Sequence, residues 1–296
     1  MKNEFIKYLE DRFYVNFDRD DRFVLDKNGN ISELYLQPQQ VSYIKDDPKL
    51  IHDLNFLLPL SPYLKVLHIN NGTVKDMSSI KKFTHLKELG LAYNNYFKEI
   101  SGLENLTELE VLDLSGNRIE RISGLENLTQ LRILDLSENG LGSNGYIKKI
   151  EGLNFLTKLE ALYLHGNQIQ VVENINQLTR LKRLTLHTNE IAKFENMDSL
   201  SKLTRLTIGY ELAVFPNLSN HPLLEELGIQ GNFNRIENLD YLESIHTINI
   251  ESDTEINNSD VLLKHKQLRN IRVNLKDLKG TASPCFWNFE IDGEYC

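Results

Sequence analysis

Apolar residues recur along most of this chain in one fixed order. From residue 109 the sequence reads LEVLDLSGNRIERIS, placing Leu109, Leu112 and Leu114, then Asn117, then Ile119 and Ile122. GLENLTQ follows, and the order restarts at Leu131. Successive side chains of a strand point to opposite faces, so the alternation predicts a short strand with Leu112 and Leu114 inward and Val111, Asp113 and Ser115 outward. Ile119, Ile122, Leu125 and Leu128 predict an apolar return leg. Asn117 carries a donor and an acceptor, which suits a ladder between stacked turns. One unit alone cannot bury these groups, whereas stacked units share a core. The first apolar positions are Leu64, Leu86, Leu109, Leu131, Leu159, Leu181, Leu203, Leu224, Ile245 and Leu268. Most steps are about 22 residues, inside the window for short solenoid repeats. The asparagine column reads Asn94, Asn117, Asn139, Asn167, Asn189 and Asn232, with breaks at Gly72, Glu211 and Asp253.

The phrases GLENLTELEVLDLSGNRIERIS and GLNFLTKLEALYLHGNQIQVVE resemble the SDS22-like class of leucine-rich repeats, which also includes the repeats of bacterial internalins. The resemblance implies an α/β fold: a right-handed solenoid with a parallel sheet on its concave side, short 3-10 or extended convex segments, and a cap at each end. It also implies a protein partner bound on the concave sheet, with regulation or inhibition of an enzyme as a narrower reading. An internalin-like surface or secreted adhesin or effector is the alternative.

Three regions are expected: an N-terminal cap over residues 1–45, the solenoid over 46–275, and a C-terminal cap over 276–296. Phe5, Ile6, Leu9 and Phe13 have helical spacing and predict a short amphipathic helix covering the open end. Asn28-Gly29-Asn30 marks a turn before a strand at Ile31, Leu34 and Leu36, read as a divergent first repeat. LIHDLNFLLPL, residues 50–60, predicts a helical turn. At the other end Phe286, Trp287, Phe289 and Ile291 are expected to cover the last repeat. The step from Leu131 to Leu159 is longer than the rest, with the extra length in NGLGSNGYIKK, residues 139–149. Such an insertion emerges at a rim, with Tyr146 at or near its tip, and is either a binding element or a neutral lengthening.

Composition narrows the function. The chain holds 33 basic and 42 acidic residues, a net charge of −9, which disfavours nucleic acid and anionic membranes as partners. No apolar run reaches the roughly 18 residues of a membrane span. MKNEFIKYLEDRFYVNF lacks a secretory core and cleavage site, so a cytoplasmic location and free thiols at Cys285 and Cys296 are expected. A disulfide between them is the alternative in a secreted chain. A monomer is expected.

The register places specific chemistry on the sheet surface. Asp113 and Asp135 fall side by side, with Glu138 nearby; stacked like charges cost energy and point to a basic partner group. Tyr163 comes next, then His165 and His187 as neighbours, then Arg183 and Arg205 as a basic stripe beside Lys182. The two histidines are read as a polar surface that becomes positive at low pH, since two ligands alone make a poor metal site. Tyr93 and Tyr210, with Tyr146 at the rim, add the aromatic character common at interfaces. No nucleophile–base pair, phosphate loop or CxxC pair is present. The expectation is a non-enzymatic binding protein with no cofactor or metal.

Overall fold

In the computed structural model the described residues are 6–9, 23–36 and 53–275, apart from 73, 141–145, 196 and 253. The expected C-terminal cap and both cysteines lie outside them, as does Asp253. The strands are β1 (Phe23–Leu25), β2 (Ile31–Leu36), β3 (Val66–Ile69), β4 (Glu88–Gly90), β5 (Val111–Asp113), β6 (Ile133–Asp135), β7 (Ala161–Tyr163), β8 (Val171–Val172), β9 (Arg183–Leu186), β10 (Lys193–Phe194), β11 (Arg205–Leu212), β12 (Glu226–Gly231), β13 (Thr247–Ser252) and β14 (Asn270–Leu275). Twelve of them form one sheet in the order β1-β2-β3-β4-β5-β6-β7-β9-β11-β12-β13-β14, and β8 pairs with β10 in a separate ribbon. From β2 onward every pairing in the large sheet is parallel. The result is a parallel-sheet solenoid of about 9 turns with few helices.

The register follows the repeat phrase. Val66, Glu88, Val111, Ile133, Ala161, Arg183, Arg205, Glu226, Thr247 and Asn270 stand opposite one another in order. His68, Gly90, Asp113, Asp135, Tyr163, Thr185, Thr207, Gly228, Asn249 and Arg272 form the next column. Inward leucines between them, Leu112, Leu134, Leu162 and Leu184 among others, are fully buried. One continuous apolar core runs from Ile6 and Leu9 to Leu262.

Near the N-terminus, residues 6–9 are helical, with Ile6 and Leu9 buried in the core. Asn55–Leu60 forms a 3-10 helix where the sequence predicts a helical turn. Strand β1, the apolar triplet Phe23–Leu25, was not foreseen; it pairs antiparallel with β2. Asp26 closes this hairpin, accepting hydrogen bonds from the backbone N–H groups of Asn28 (2.8 Å) and Asn30 (2.9 Å). The three residues of β1 are too few to show an alternation, and two of them, Val24 and Leu25, are exposed.

Asn94, Asn117, Asn139, Asn167 and Asn189 form the expected ladder. Each Nδ2 donates to a carbonyl of its own turn and to one of the preceding turn; Asn139 reaches Leu136 at 3.0 Å and Leu114 at 3.1 Å. Asn139 Oδ1 also accepts from the Ile119 N–H at 3.0 Å. Asn232 does not belong to the ladder and is exposed. By then the strands have lengthened, and backbone pairing takes over at the turn.

Candidate functional site

The solvent face of the central strands gathers most of the residues singled out by the register. Their neighbours in sequence point inward into the core, so the site residues face outward. Asp113, Asp135 and Tyr163 stand in one row on β5, β6 and β7. Arg183 and Arg205 stand in the adjacent row on β9 and β11, next to Ala161 of β7.

Each aspartate is fixed by the residue two positions on. Asp113 Oδ1 accepts from the Ser115 N–H (2.9 Å) and hydroxyl (2.7 Å), and Asp135 Oδ1 does the same with Ser137 (2.8 and 2.6 Å). These bonds hold the strand ends but supply no positive charge. Asp113 is buried to 6% exposure. Burial, and then the neighbouring Asp113 charge, push the Asp135 carboxyl up to about 7, against the opposing bonds from Ser137.

The turns beyond the strands bring in Tyr93 and Glu138. Both take left-handed backbone conformations, at φ 54° and 55°, which side chains other than glycine adopt at some cost. The Tyr93 ring lies over Gly116, where an added Cβ would sit 2.3 Å from it. Its hydroxyl donates to Glu138 at 2.8 Å. Burial and this carboxylate together raise the Tyr93 phenol well above its usual range.

The His165 and His187 rings stack 4.5 Å apart and 9° from parallel. Each Nδ1 is 3.2 Å from a threonine hydroxyl, Thr185 for His165 and Thr207 for His187. Parallel rings direct their nitrogens side by side, whereas two ligands of one metal must converge on it at about 2.0–2.1 Å. The positive charge expected here at low pH develops below the usual imidazole range. Burial lowers both imidazoles, and with His165 beside it His187 falls to about 4. His187 therefore stays neutral until well below pH 6, and burial shifts His165 in the same direction.

The basic stripe needs correction. Arg205 pairs with Glu226 at 3.2 Å, and Lys182 pairs with Glu160 at 2.7 Å. Lys182 belongs to a separate row before the strands, where signs alternate through Lys87, Glu110, Arg132, Glu160 and Lys182. That ladder holds Glu160 below the usual carboxylate range through Lys182 and Arg132. It was readable as alternating charge at the second repeat position. At the N-terminal end, His68 lies 3.8 Å from Glu88 and stacks on Tyr35. Among the described residues, the central strands thus hold an aspartate pair and Arg183 without an ion-pair partner.

Two aromatics stand apart. Tyr146 packs back on Gly140 and is half-buried; residues 141–145 of the insertion lie outside the described residues. Tyr210 lies in β11. The partners missed from sequence are Ser115, Ser137, Thr185 and Thr207, all small hydroxyl residues in the register rows; their spacing was visible, but their hydrogen bonds depend on side-chain rotation.

Comparison with known proteins places this geometry. A family model described as a leucine-rich repeat region matches residues 50–228. Leucine-rich repeat-containing protein 56 of Mus musculus is 43% identical over 58 residues, covering 20% of this chain and 10% of that protein. The chain therefore spans a small part of that relative's length. Among solved structures, the internalin InlF of Listeria monocytogenes superposes with a TM-score of 0.56 at 22% identity, covering 74% of this chain and 70% of that one. Internalin C2 of the same organism gives 0.52 at 22% identity, covering 74% and 83%. The functional domain of InlJ, which includes a cysteine ladder, gives 0.57 at 20% identity, covering 85% and 57%. These likenesses establish the fold.

Proposed function

The chain belongs to the leucine-rich-repeat family, and from that membership we propose that its concave sheet is a preformed protein-binding surface centred on β5 to β9. Leucine-rich-repeat proteins generally mediate protein–protein interaction. The observation that carries the assignment to this stretch is the pattern of unpaired charge. Arg205 at the edge of this stretch is matched by Glu226. Among the described residues Asp113, Asp135 and Arg183 form no ion pair, and they gather on neighbouring strands with Tyr163 between the two signs.

A rigid sheet loses little entropy on binding, and opposite charges set orientation and association rate. The partner is a protein segment with a basic group over the aspartates and an acidic group over Arg183. Within this reading the chain acts as a non-enzymatic, cytoplasmic, monomeric SDS22-like regulator or inhibitor of an enzyme. Nucleic acid and membranes are disfavoured by its net charge of −9.

The test is a binding titration of Tyr163→Ala, Arg183→Glu and Asp135→Lys against a partner captured from the native cell, with thermal melts alongside. Central aromatic and arginine contacts are worth about 2 kcal/mol or more when they are hot spots, so the first two changes are expected to weaken binding at least about tenfold. Asp135→Lys is expected to slow association. Unchanged affinity in all three moves the site off this face.

A further inference from the structure

We propose that the N-terminal end of the same sheet face holds a second anchor: a seat for one arginine side chain of the protein partner, built from Tyr35 and His68 between the carboxylates of Glu33 and Glu88. The inference rests on the protein-binding reading above and adds a contact to it, on β2 to β4 rather than β5 to β9.

A buried nitrogen marks the place. His68 is 8% exposed, and its Nε2 has no hydrogen-bond partner. The Glu88 carboxylate stops 3.8 Å away, beyond hydrogen-bond reach. A carboxylate only accepts, and a neutral imidazole carries one accepting nitrogen beside its N–H. Were Nε2 the donor, the Glu88 side chain would be drawn onto it. Held at 3.8 Å, the two are acceptors turned toward one point, which suits a group with several N–H bonds to give. A buried acceptor left unpaired is costly, and a donor that reaches it relieves that cost. Glu88, with 43% of its side chain exposed, can turn to admit one.

The strands build a platform around this nitrogen. Tyr35 stands opposite His68 on β2, and the two rings stack 5.2 Å apart at 29°. On the other side of His68 is Gly90, where an added Cβ would sit 2.4 Å from Nδ1. The aspartates that β5 and β6 carry at this place in the row would push the imidazole away; glycine lets it lean across β4. The Tyr35 hydroxyl donates to Glu33 at 3.1 Å. Burial, then Glu33 and then Glu88, push the phenol up to about 12, so both carboxylates bear on the one ring. Among the described residues, no lysine or arginine stands in the two outward rows from β2 to β7.

A guanidinium fits this arrangement better than an ammonium. It is planar, stacks on aromatic faces and offers five N–H donors in a fixed fork. One face can lie on a ring while the edge serves Nε2 and the carboxylates. An ammonium is a compact, strongly hydrated charge and uses less of the platform.

The test titrates the full chain with argininamide at pH 8 and follows the His68 imidazole by NMR, its signals assigned by their loss in His68→Asn. Saturable shifts are expected. Lysinamide is expected to bind about threefold more weakly or worse, since it stacks less well. Glu88→Gln and Gly90→Ala are each expected to weaken argininamide by about threefold or more, the first by removing a charge and the second by displacing the ring. Thermal melts run alongside, and the exposed Glu88 keeps the test open if Gly90→Ala fails to fold. No saturable shift at His68, equal affinity for lysinamide, or a Glu88→Gln variant that binds as wild type overturns the seat while leaving the central docking face intact. Argininamide bound at His68, with a captured partner indifferent to Tyr163→Ala and Arg183→Glu, overturns that central face and leaves the seat standing.

Discussion

The middle of the solenoid and its C-terminal third solve one problem in two ways. In the middle, β4 to β7 are three residues each. The chain then turns sharply through left-handed residues at Tyr93, Gly116, Glu138 and Gly166, and buried asparagines bond the exposed carbonyls. In the C-terminal third, β11 is eight residues long and β12 to β14 are six each. There the alternation of inward and outward residues simply continues; β13 alternates half-buried and buried side chains along its whole length. Buried backbone groups must be paired with something. Where asparagine follows the strand, its amide does the pairing and the turn is tight. Where it does not, the sheet itself extends, and small hydroxyls help: Ser252 and Thr254 both donate to the Phe233 carbonyl, at 3.4 and 2.9 Å.

The sharpest way to break this contrast is to remove one amide from each region. Asn139→Ala loses donors to Leu114, Leu136 and Ser137 and the acceptor for Ile119, leaving buried groups unpaired. A loss of roughly 3 kcal/mol is expected. Asn232→Ala, at the matching sequence position but exposed, is expected to stay within about 0.5 kcal/mol. Urea unfolding of both variants reads the difference. Equal costs would mean that the ladder is not what holds the tight turns.

A smaller effect is expected where one turn touches the backbone of the preceding one. Gly152 has φ 71°, and an added Cβ would lie 2.4 Å from the Ile122 carbonyl oxygen. Gly152→Ala is therefore expected to cost about 2 kcal/mol. Asparagine fills the corresponding place at Asn174 and Asn238, also left-handed, and Asn174 donates to the Ile150 carbonyl at 2.8 Å. Gly152→Asn is thus expected to cost less than Gly152→Ala in the same unfolding measurement, and the reverse order would refute this account of the contact.

The same contrast explains what could be read beforehand. Both outward rows were legible from Val66 and His68 to Asn270 and Arg272, because strand period and repeat length together leave one register. Asn232 was misplaced because its local phrase, QGNF, imitates the regular HGNQ, while the strand before it runs on to Gly231. Strand β1 was missed because the apolar run Phe23–Leu25 is too short to show alternation, although the turn at Asn28-Gly29 after it could have marked a hairpin. At the site, the row of Asp113, Asp135 and Tyr163 was legible, but the state of its charges was not. Pairing of Arg205 by Glu226, and of Tyr93 with Glu138 two turns away, depends on side-chain reach rather than spacing. His221 makes the same point in the core. It is fully buried at a place where other repeats carry leucine, with its ring nitrogens 3.1 Å from the Met197 carbonyl oxygen and 3.3 Å from that of Leu218.

A last predicted effect, no larger than that at Gly152, lies where the two regions meet. His187 closes the regular stretch, stacked on His165 and bonded to Thr207 of the first long strand. Burial, with His165 beside it, holds its imidazole near 4, below the 6.5 expected in an unfolded chain. As pH falls from about 6.5 to 4 the unfolded chain takes up a proton that the folded chain refuses, so stability is lost in that direction. Asp135 acts with the opposite sign: burial and the neighbouring Asp113 charge raise its carboxyl, so the folded chain holds the proton and stability is lost as pH rises. The two windows overlap, and in the wild type they partly cancel. Each single variant should therefore expose the other slope. Asp135→Asn is expected to melt progressively lower as pH is reduced from 6.5 to 4, and His187→Gln to melt lower as pH is raised from about 4 to 7. A histidine this far from solvent contributes roughly 2 kcal/mol after allowance for its partial exposure, enough to move a melting midpoint measurably. Parallel pH profiles in wild type and both variants would show that neither group is perturbed by the fold, and that the neutral His187 and the raised Asp135 carboxyl are both misassigned.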